Sequence, residues 1–240
     1  RTVNQERPEL NKAVAKQLSS LRVTEKLMEK VIQKLDLAQD IMKWDRSTLL
    51  KIAKELRKAT KPMLIACNKI DIKGAYENFQ RLKGEFSDYS VVPCSAECEL
   101  ALREAAKHEL IKYVPGDSGF DIINEGKLTD KQKSALSFIK SEVLEKHGSS
   151  GIQKTIDAAV FDLLKYIAVF PGGVNKLADQ HGNVIPDCFL MPPNSTALDF
   201  AFRLHTDIGS RFIKAIDVKS KRPVGKEHLL KHRDVIEIVT

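Results

Sequence analysis

Between residues 7 and 37 apolar side chains recur at helical spacing: Leu10, Val14, Leu18 and Leu21, then Leu27, Val31, Ile32 and Leu35. The spacing predicts two helices of a hairpin or short coiled coil, the second capped by Thr24. "WDRSTLLKIAKELRKAT" predicts a further helix, capped by Asp45 or Ser47, with Leu49, Leu50, Ile52, Ala53 and Leu56 along its stripe. Residues 62–67 then form an apolar run that predicts a buried strand. A helix follows at about 75–86, with Tyr76, Phe79, Leu82 and Phe86 on one side. "YSVVPCSAE" predicts a second strand at 89–94, and "LALREAAKHELIKYV" a helix after it. Helix, strand, helix, strand, helix at this spacing is the pattern of an α/β protein with a parallel sheet.

From Pro115 the pattern changes. "PGDSGFDIINEGKLTD" is rich in turn formers. A helix capped by Thr129 or Asp130 runs to about Lys146 and is broken by "HGSSG". The next helix runs from Ile152 to Leu164, with Ile152, Ile156, Ala159, Val160, Leu163 and Ile167 on one face. The remaining residues alternate short β-like runs, "YIAVF", "DCFLM", "FIKAIDV" and "VIEIV", around one helix capped at Ser195 or Thr196 and ending at Gly209. Several strands around one helix predict an α+β module of the β-grasp kind.

Composition narrows the class. The 240 residues suffice for one large or two small domains, and 42% hydrophobic with 30% charged is an ordinary globular balance. No apolar run approaches the ~20 residues that span a bilayer, so no membrane partner is expected. No charged-then-apolar leader opens the chain, which starts at Arg1, and a cytoplasmic location is expected. A net charge of +7 is compatible with an RNA or ribosome partner, although charge alone favours a solvated surface. Cys67 and Cys188 sit in apolar runs and read as core thiols. Cys94 and Cys98 lack the second pair or His cluster that a zinc site needs, so no metal site is expected.

The candidate chemistry lies where the first strand stops. "PMLIACNKID" ends an apolar run in Asn68, Lys69 and Asp71. In an open parallel sheet ligands bind beyond the carboxyl ends of the strands, where these residues fall. The two oxygens of Asp71 match the adjacent N1–H and 2-amino donors of guanine in a bidentate pair. Adenine has an acceptor at N1 and nothing at position 2, so a carboxylate facing it is left unpaired, which discriminates between the purines. Lys69 can lay its stem on the base, and Asn68 can donate to the base edge and tie the loop to its neighbours. At the end of the second strand Ser95, Ala96 and Glu97 form a turn whose small residue lets a backbone N–H approach the base carbonyl. A four-residue motif alone occurs by chance; the strand-NKID, helix, strand-SAE, helix context gives it weight.

With these residues in place the chain resembles the Obg/YchF-related P-loop GTPases, in particular their archaeal and fungal branch. Asn68–Asp71 resembles the fourth G motif and Ser95–Glu97 the fifth. "GIQKTIDAAVFDLLKYIAVFP" is similar to the segment that leads into the family's last domain. "NSTALDFAFRLHTDIGSRFIKAI…HRDVIEIV" resembles a TGS domain, the β-grasp module named for threonyl-tRNA synthetase, GTPases and SpoT. Ser195-Thr196, Asp199-Phe200-Ala201, His205-Thr206-Asp207 and Gly209 fall in register with it. One departure is Arg233, where many TGS domains have Gly. The resemblance implies a helical insertion at 1–47, the carboxyl half of a partial doubly wound G-domain sheet with connecting helices at 48–165, and the TGS domain at 166–240. It implies GTP or GDP as ligand. YchF proteins that prefer ATP lack a proper N-K-x-D.

The family's G-x-x-x-x-G-K-[ST], switch threonine and D-x-x-G are not in these 240 residues. "GSSGIQKT" at 148–155 places Lys154 three residues past Gly151 with no strand before it, and reads as a helix start. "PVGKEH" reads as a turn. Phosphoryl transfer depends on a Lys, Mg²⁺ and converging backbone donors, so no catalytic residue is expected here, and hydrolysis and Mg²⁺ binding are expected only with a phosphate-binding half. In the last third, Lys214, Lys219, Lys221, Arg222, Lys226, Lys231 and Arg233 can meet RNA phosphates or serve as a solvated edge. DNA is not an expected partner. His205 and Asp207 read as a helix-end pair, and Asp199 as a first-turn residue favoured by the helix dipole. Two functions stand: a guanine-nucleotide switch acting on ribosome or RNA, and a nucleotide-independent TGS module binding RNA or protein.

Overall fold

A computed structural model describes residues 12–37, 43–178, 181–185 and 187–240. Leu10 and the start of the first expected helix lie outside the described residues. The chain divides into two compact units, 1–63 and 64–240.

In the first unit residues 12–17 are helical, followed by α1 (Glu25–Lys34) and α2 (Arg46–Thr60). Thr24 caps α1 by accepting from the Leu27 N–H, and Asp45 caps α2 by accepting from the Thr48 N–H at 2.7 Å. Each cap satisfies one of the orphan donors of a helix start. Val23, Met28, Val31, Ile52 and Leu56 close the core between them. The expected stripe of α2 is narrower than the sequence pattern: Ile52 and Leu56 are buried, whereas Leu49 and Leu50 are about half exposed, at 51% and 54%.

The second unit opens with β1 (Leu64–Cys67), α3 (Ala75–Glu85), β2 (Ser90–Pro93) and α4 (Ala96–Lys107). β1 and β2 pair in parallel, with Ala66 opposite Val92 and Cys67 opposite Pro93. The expectation of a buried β1 is corrected: Leu64, Ile65 and Cys67 are half-buried and Ala66 is exposed. On α3 only Phe79 of the expected apolar side is buried, while Tyr76 and Phe86 stay largely exposed. α4 starts earlier than its apolar pattern suggested, because Ser95 is its cap; Ile111 and Lys112 form a short strand, β3, paired antiparallel with β4 (Asp121–Ile122).

Thr129 and Gln132 make a reciprocal capping box at the start of α5 (Asp130–Phe138), which continues through a π-helical stretch, Ile139–Leu144, to Gly148. The core here joins Cys98, Leu102, Ile111, Leu136, Val143 and Leu144. α6 (Ile152–Asp157) likewise widens into a π-helical stretch, Ala158–Leu163. That widening moves the register of the face: Ala158 is buried and Ile156 is half exposed.

The last module is a five-stranded sheet, β5 (Ile167–Pro171), β6 (Phe189–Met191), β7 (Lys214–Asp217), β8 (Arg222–Val224) and β9 (Asp234–Val239), ordered β6-β5-β9-β7-β8. β5 and β9 run parallel and the other pairs antiparallel. α7 (Ala197–Leu204) carries a Thr196–Asp199 capping box and packs on the sheet through Ala197 and Phe200, both fully buried among Val169, Met191, Ala215 and Ile236. Burying one such phenylalanine contributes about 1.5–3 kcal/mol, which anchors helix to sheet. A short α8 (Thr206–Ser210) follows. This is the expected β-grasp arrangement with two differences: β8 was not among the expected runs, and the single helix expected to reach Gly209 breaks at His205, whose extended backbone caps α8. Cys188, expected in a core, is exposed, since it precedes β6.

Candidate functional site

The N-K-x-D segment leaves β1 at its carboxyl end and is held by backbone bonds that extend the β1–β2 ladder. The Cys94 N–H donates to the Cys67 carbonyl at 3.0 Å, and the Ile70 N–H donates to the Cys94 carbonyl at 3.1 Å. Ile70, only 5% exposed, anchors the loop in the core. Lys69 adopts a left-handed φ of 67° and is exposed, so the chain reverses there and presents its side chain outward. That conformation costs a non-glycine residue roughly 1–2 kcal/mol, which the surrounding bonds must offset.

Asn68 does what the loop requires. Its side-chain oxygen accepts from the Lys69 N–H at 2.8 Å and from the Ala96 N–H at 3.0 Å, 28 positions along the chain. Both partners are donors, which identifies the accepting atom as Oδ1. One amide thus ties the N-K-x-D turn to the S-A-E turn.

Asp71 stands differently. Its Oδ1 is buried and has no hydrogen-bond partner among the described residues. A buried, unpaired carboxylate oxygen costs free energy unless a donor meets it. The carboxylate also lies close enough to Cys98 to help raise that thiol's pKa, after burial, the larger cause. Its neighbour Ile70, bonded to the Cys94 carbonyl, keeps this carboxylate close to the segment that leads into α4. A donor that reached this oxygen would relieve that cost.

On the other side Ser95 is fully buried and its Oγ accepts from the Cys98 N–H at 3.3 Å. Ala96 and Glu97 are exposed at the start of α4, where the helix dipole favours a partly negative group such as a carbonyl oxygen. The structure thus brings Asn68, Lys69, Asp71, Ser95, Ala96 and Glu97 to one end of the β1–β2 pair.

Residues that the sequence reading did not single out stand behind this turn. The Ser95 N–H donates to the Ser150 carbonyl at 2.8 Å. The Ser150 hydroxyl, fully buried, donates to Oε2 of Glu99, which is 4% exposed. Tyr113 Oη donates to the same oxygen at 2.8 Å, and Arg103 Nε donates to Oε1 at 2.7 Å. Burial pushes the Glu99 carboxyl up, but the bonds from Ser150, Arg103 and Tyr113 outweigh it and hold the pKa below the ordinary glutamate value. Gly151, at φ 79°, lets the loop lie against β2: a Cβ there would stand 2.1 Å from the Pro93 carbonyl. "GSSG" is therefore a seat for the turn and the start of α6. The i,i+4 spacing of Glu99 and Arg103 is a signal that could have found one of these bonds; Ser150, 51 residues from Glu99, offers none.

Burial raises the pKa of the Cys67, Cys94 and Cys98 thiols, which makes them poor nucleophiles. Among the described residues no cluster of three or more His, Cys, Asp or Glu could hold a metal ion, and no helix is long and apolar enough to cross a membrane.

In the β-grasp module β7 and β9 are antiparallel, with Asp217 opposite Ile236 and Lys214 opposite Val239. Lys219, Lys221 and Arg222, at the β7–β8 turn, therefore share one end of the sheet with Lys231 and Arg233, just before β9. All five are exposed. Lys214, exposed as well, is at the opposite end. Arg233 takes a left-handed φ of 69° and its N–H donates to the Ala168 carbonyl at 2.7 Å, so the turn that commonly has Gly forms with Arg. His205 caps α8 by accepting from the Asp207 N–H at 3.1 Å, a structural role.

Comparison with known proteins places names on both halves. Residues 66–173 match the G4 motif-containing domain of Obg-like GTPases of the YGR210-like type, and residues 176–240 match the TGS domain. A protein of Methanocaldococcus jannaschii named as an uncharacterized GTP-binding protein is 45% identical over 237 residues, 98% of this chain and 59% of its own length. A Schizosaccharomyces pombe protein of the same description is 30% identical over 189 residues, 75% of this chain and 46% of its own length. The crystal structure of a GTP-binding protein from Pyrococcus horikoshii aligns with a TM-score of 0.68 at 38% identity, covering 99% of this chain and 64% of that one. The chain thus spans less than two thirds of the relatives it matches.

Proposed function

Because the chain belongs to the YGR210-like Obg-like GTPases, with their G4-motif domain followed by a TGS domain, we propose that its N-K-x-D and S-A-E turns read the guanine of GTP and GDP. The observation that carries this reading is the buried, unpaired Oδ1 of Asp71 beside the start of α4. Asp71 accepts from the N1–H and 2-amino group, the Glu97 N–H meets the 6-oxygen, Lys69 covers a face of the base, and Asn68, holding the Ala96 N–H, keeps the two turns in register.

A guanine-reading turn supplies selectivity; the phosphates need N–H donors and a Lys, Mg²⁺ needs oxygen ligands, and the attacking water needs a group to orient it, none of which is the task of these two turns. Hydrolysis is assigned to the full-length protein with its phosphate-binding half, and no residue of this chain is assigned a catalytic role. The five cations at one end of the TGS sheet would dock on RNA or ribosome phosphates, so that the nucleotide state controls the docking.

Calorimetric titration of the full-length protein tests the first part. GDP should bind at least about a hundredfold more tightly than ADP, the scale of a lost charge-assisted bidentate pair; equal affinities would refute it. The second reading, a TGS module indifferent to nucleotide, is favoured by the five-cation cluster alone, and equal RNA retention with GTP and GDP would select it.

A further inference from the structure

We propose that Glu99 and Ser150 are positioning residues for nucleotide binding: together they hold the S-A-E turn at the height from which its backbone meets the purine 6-oxygen. This rests on the guanine reading above. The path is continuous: the Glu99 carboxylate accepts from the Ser150 hydroxyl, the Ser150 carbonyl accepts from the Ser95 N–H at 2.8 Å, and the next N–H, that of Ala96, reaches Asn68 Oδ1 at 3.0 Å. Three segments converge on one carboxylate. Arg103 comes from α4 itself, Tyr113 from the turn after β3, whose Oη also accepts from the Gly116 N–H, and Ser150 from the loop before α6.

An apolar side chain would fill a 4% exposed site on α4 without the cost of burying a carboxylate. What the carboxylate adds is direction. Its bond to the Ser150 hydroxyl tethers that residue to α4, and the tethered residue's carbonyl receives the Ser95 N–H. The carbonyl then fixes Ser95, the cap from which α4 begins with the exposed residues Ala96 and Glu97.

The 6-oxygen is common to guanine and hypoxanthine, whereas the 2-amino group, which Asp71 reads, belongs to guanine alone. The two devices therefore leave different marks. In the full-length protein, titrated with GDP and IDP, Glu99→Gln and Ser150→Ala should each weaken both nucleotides by about tenfold, one hydrogen bond's worth, with the GDP:IDP ratio held within about twofold. Asp71→Asn should instead change that ratio. Tyr113→Phe, which removes a single hydroxyl, should give a smaller loss of the same pattern. Amide exchange at Ser95 should quicken in Ser150→Ala even though its carbonyl remains. Wild-type affinity in folded Glu99→Gln, or a loss confined to GDP, overturns the proposal. Should Glu99→Gln fail to fold, Ser150→Ala and Tyr113→Phe decide by the same two readouts. An unchanged GDP:IDP ratio in Asp71→Asn would instead strike the guanine reading itself.

Discussion

Replacing Gly151 by Ala tests whether the 148–151 loop is a seat for the nucleotide turn. Two costs add. Ala at φ 79° carries the left-handed penalty of roughly 1–2 kcal/mol. Its Cβ would also lie 2.1 Å from the Pro93 carbonyl, 2.9 Å from Cys94 Cα and 3.0 Å from Cys94 Cβ. Two of these neighbours are backbone at the end of β2, which cannot swing away, so loop and strand must part, at a further cost of about 1–3 kcal/mol as in overpacked cores. The sum is about 2–5 kcal/mol. Gly74→Ala supplies a matched control: its φ is 83° with nothing within 4 Å of the added Cβ, so only the conformational cost applies. Gly84→Ala, inside α3 with open space around it, should stabilise by about 0.5–1 kcal/mol. Urea denaturation followed by circular dichroism reads the series through its midpoints. Gly151→Ala should also accelerate amide exchange at Ser95, whose acceptor is the neighbouring Ser150 carbonyl. If Gly151→Ala loses no more than Gly74→Ala, and Ser95 exchanges as before, the seat is not where the structure puts it.

Two further outcomes follow from charge. The lowered pKa of Glu99 means that the unfolded chain binds its proton more readily, so the stability this carboxylate contributes is present above the ordinary glutamate value of 4.5 and is lost as pH falls through the lowered folded value. Wild type should lose stability on acidification below that point more steeply than Glu99→Gln in parallel urea titrations, and coincident slopes would count against the buried network. The proposed docking of RNA on the five-cation end of the TGS sheet predicts that any RNA retained there dissociates with salt, with a log–log slope of about −0.7 per phosphate neutralised. Removing Lys219, Lys221 and Arg222 should flatten it by about 2, and Lys214→Ala, at the other end, should leave it as it was.

The legible parts of this chain were those governed by neighbours in sequence. Thr24, Asp45, Thr129 and Thr196 cap their helices because capping bonds span three residues. The β-grasp order followed from its apolar runs and turn residues. The two turns of the site were visible as motifs at strand ends, and their union through Asn68 and Ala96 is what a parallel β1–β2 pair enforces. What could not be read was long-range. Exposure of Ala66 and Leu50 depends on what packs opposite them. The π-helical stretches at 139–144 and 158–163 turn faces that a 3.6-residue period assigns otherwise. Local spacing does not single out Glu99, because its partners Ser150 and Tyr113 lie 51 and 14 positions along the chain.

Exchange of one atom at position 71 tests the central claim most directly. In Asp71→Asn the side chain keeps an acceptor for N1–H but offers an N–H₂ donor where the carboxylate accepted. It should repel the 2-amino group of guanine and welcome the 2-oxygen of xanthine. Titrated with GDP and XDP, the full-length variant should bind GDP at least about a hundredfold more weakly than wild type and gain affinity for XDP, reversing the preference. GDP affinity within about twofold of wild type, with no gain for XDP, would contradict the assignment of Asp71 as the reader of the base.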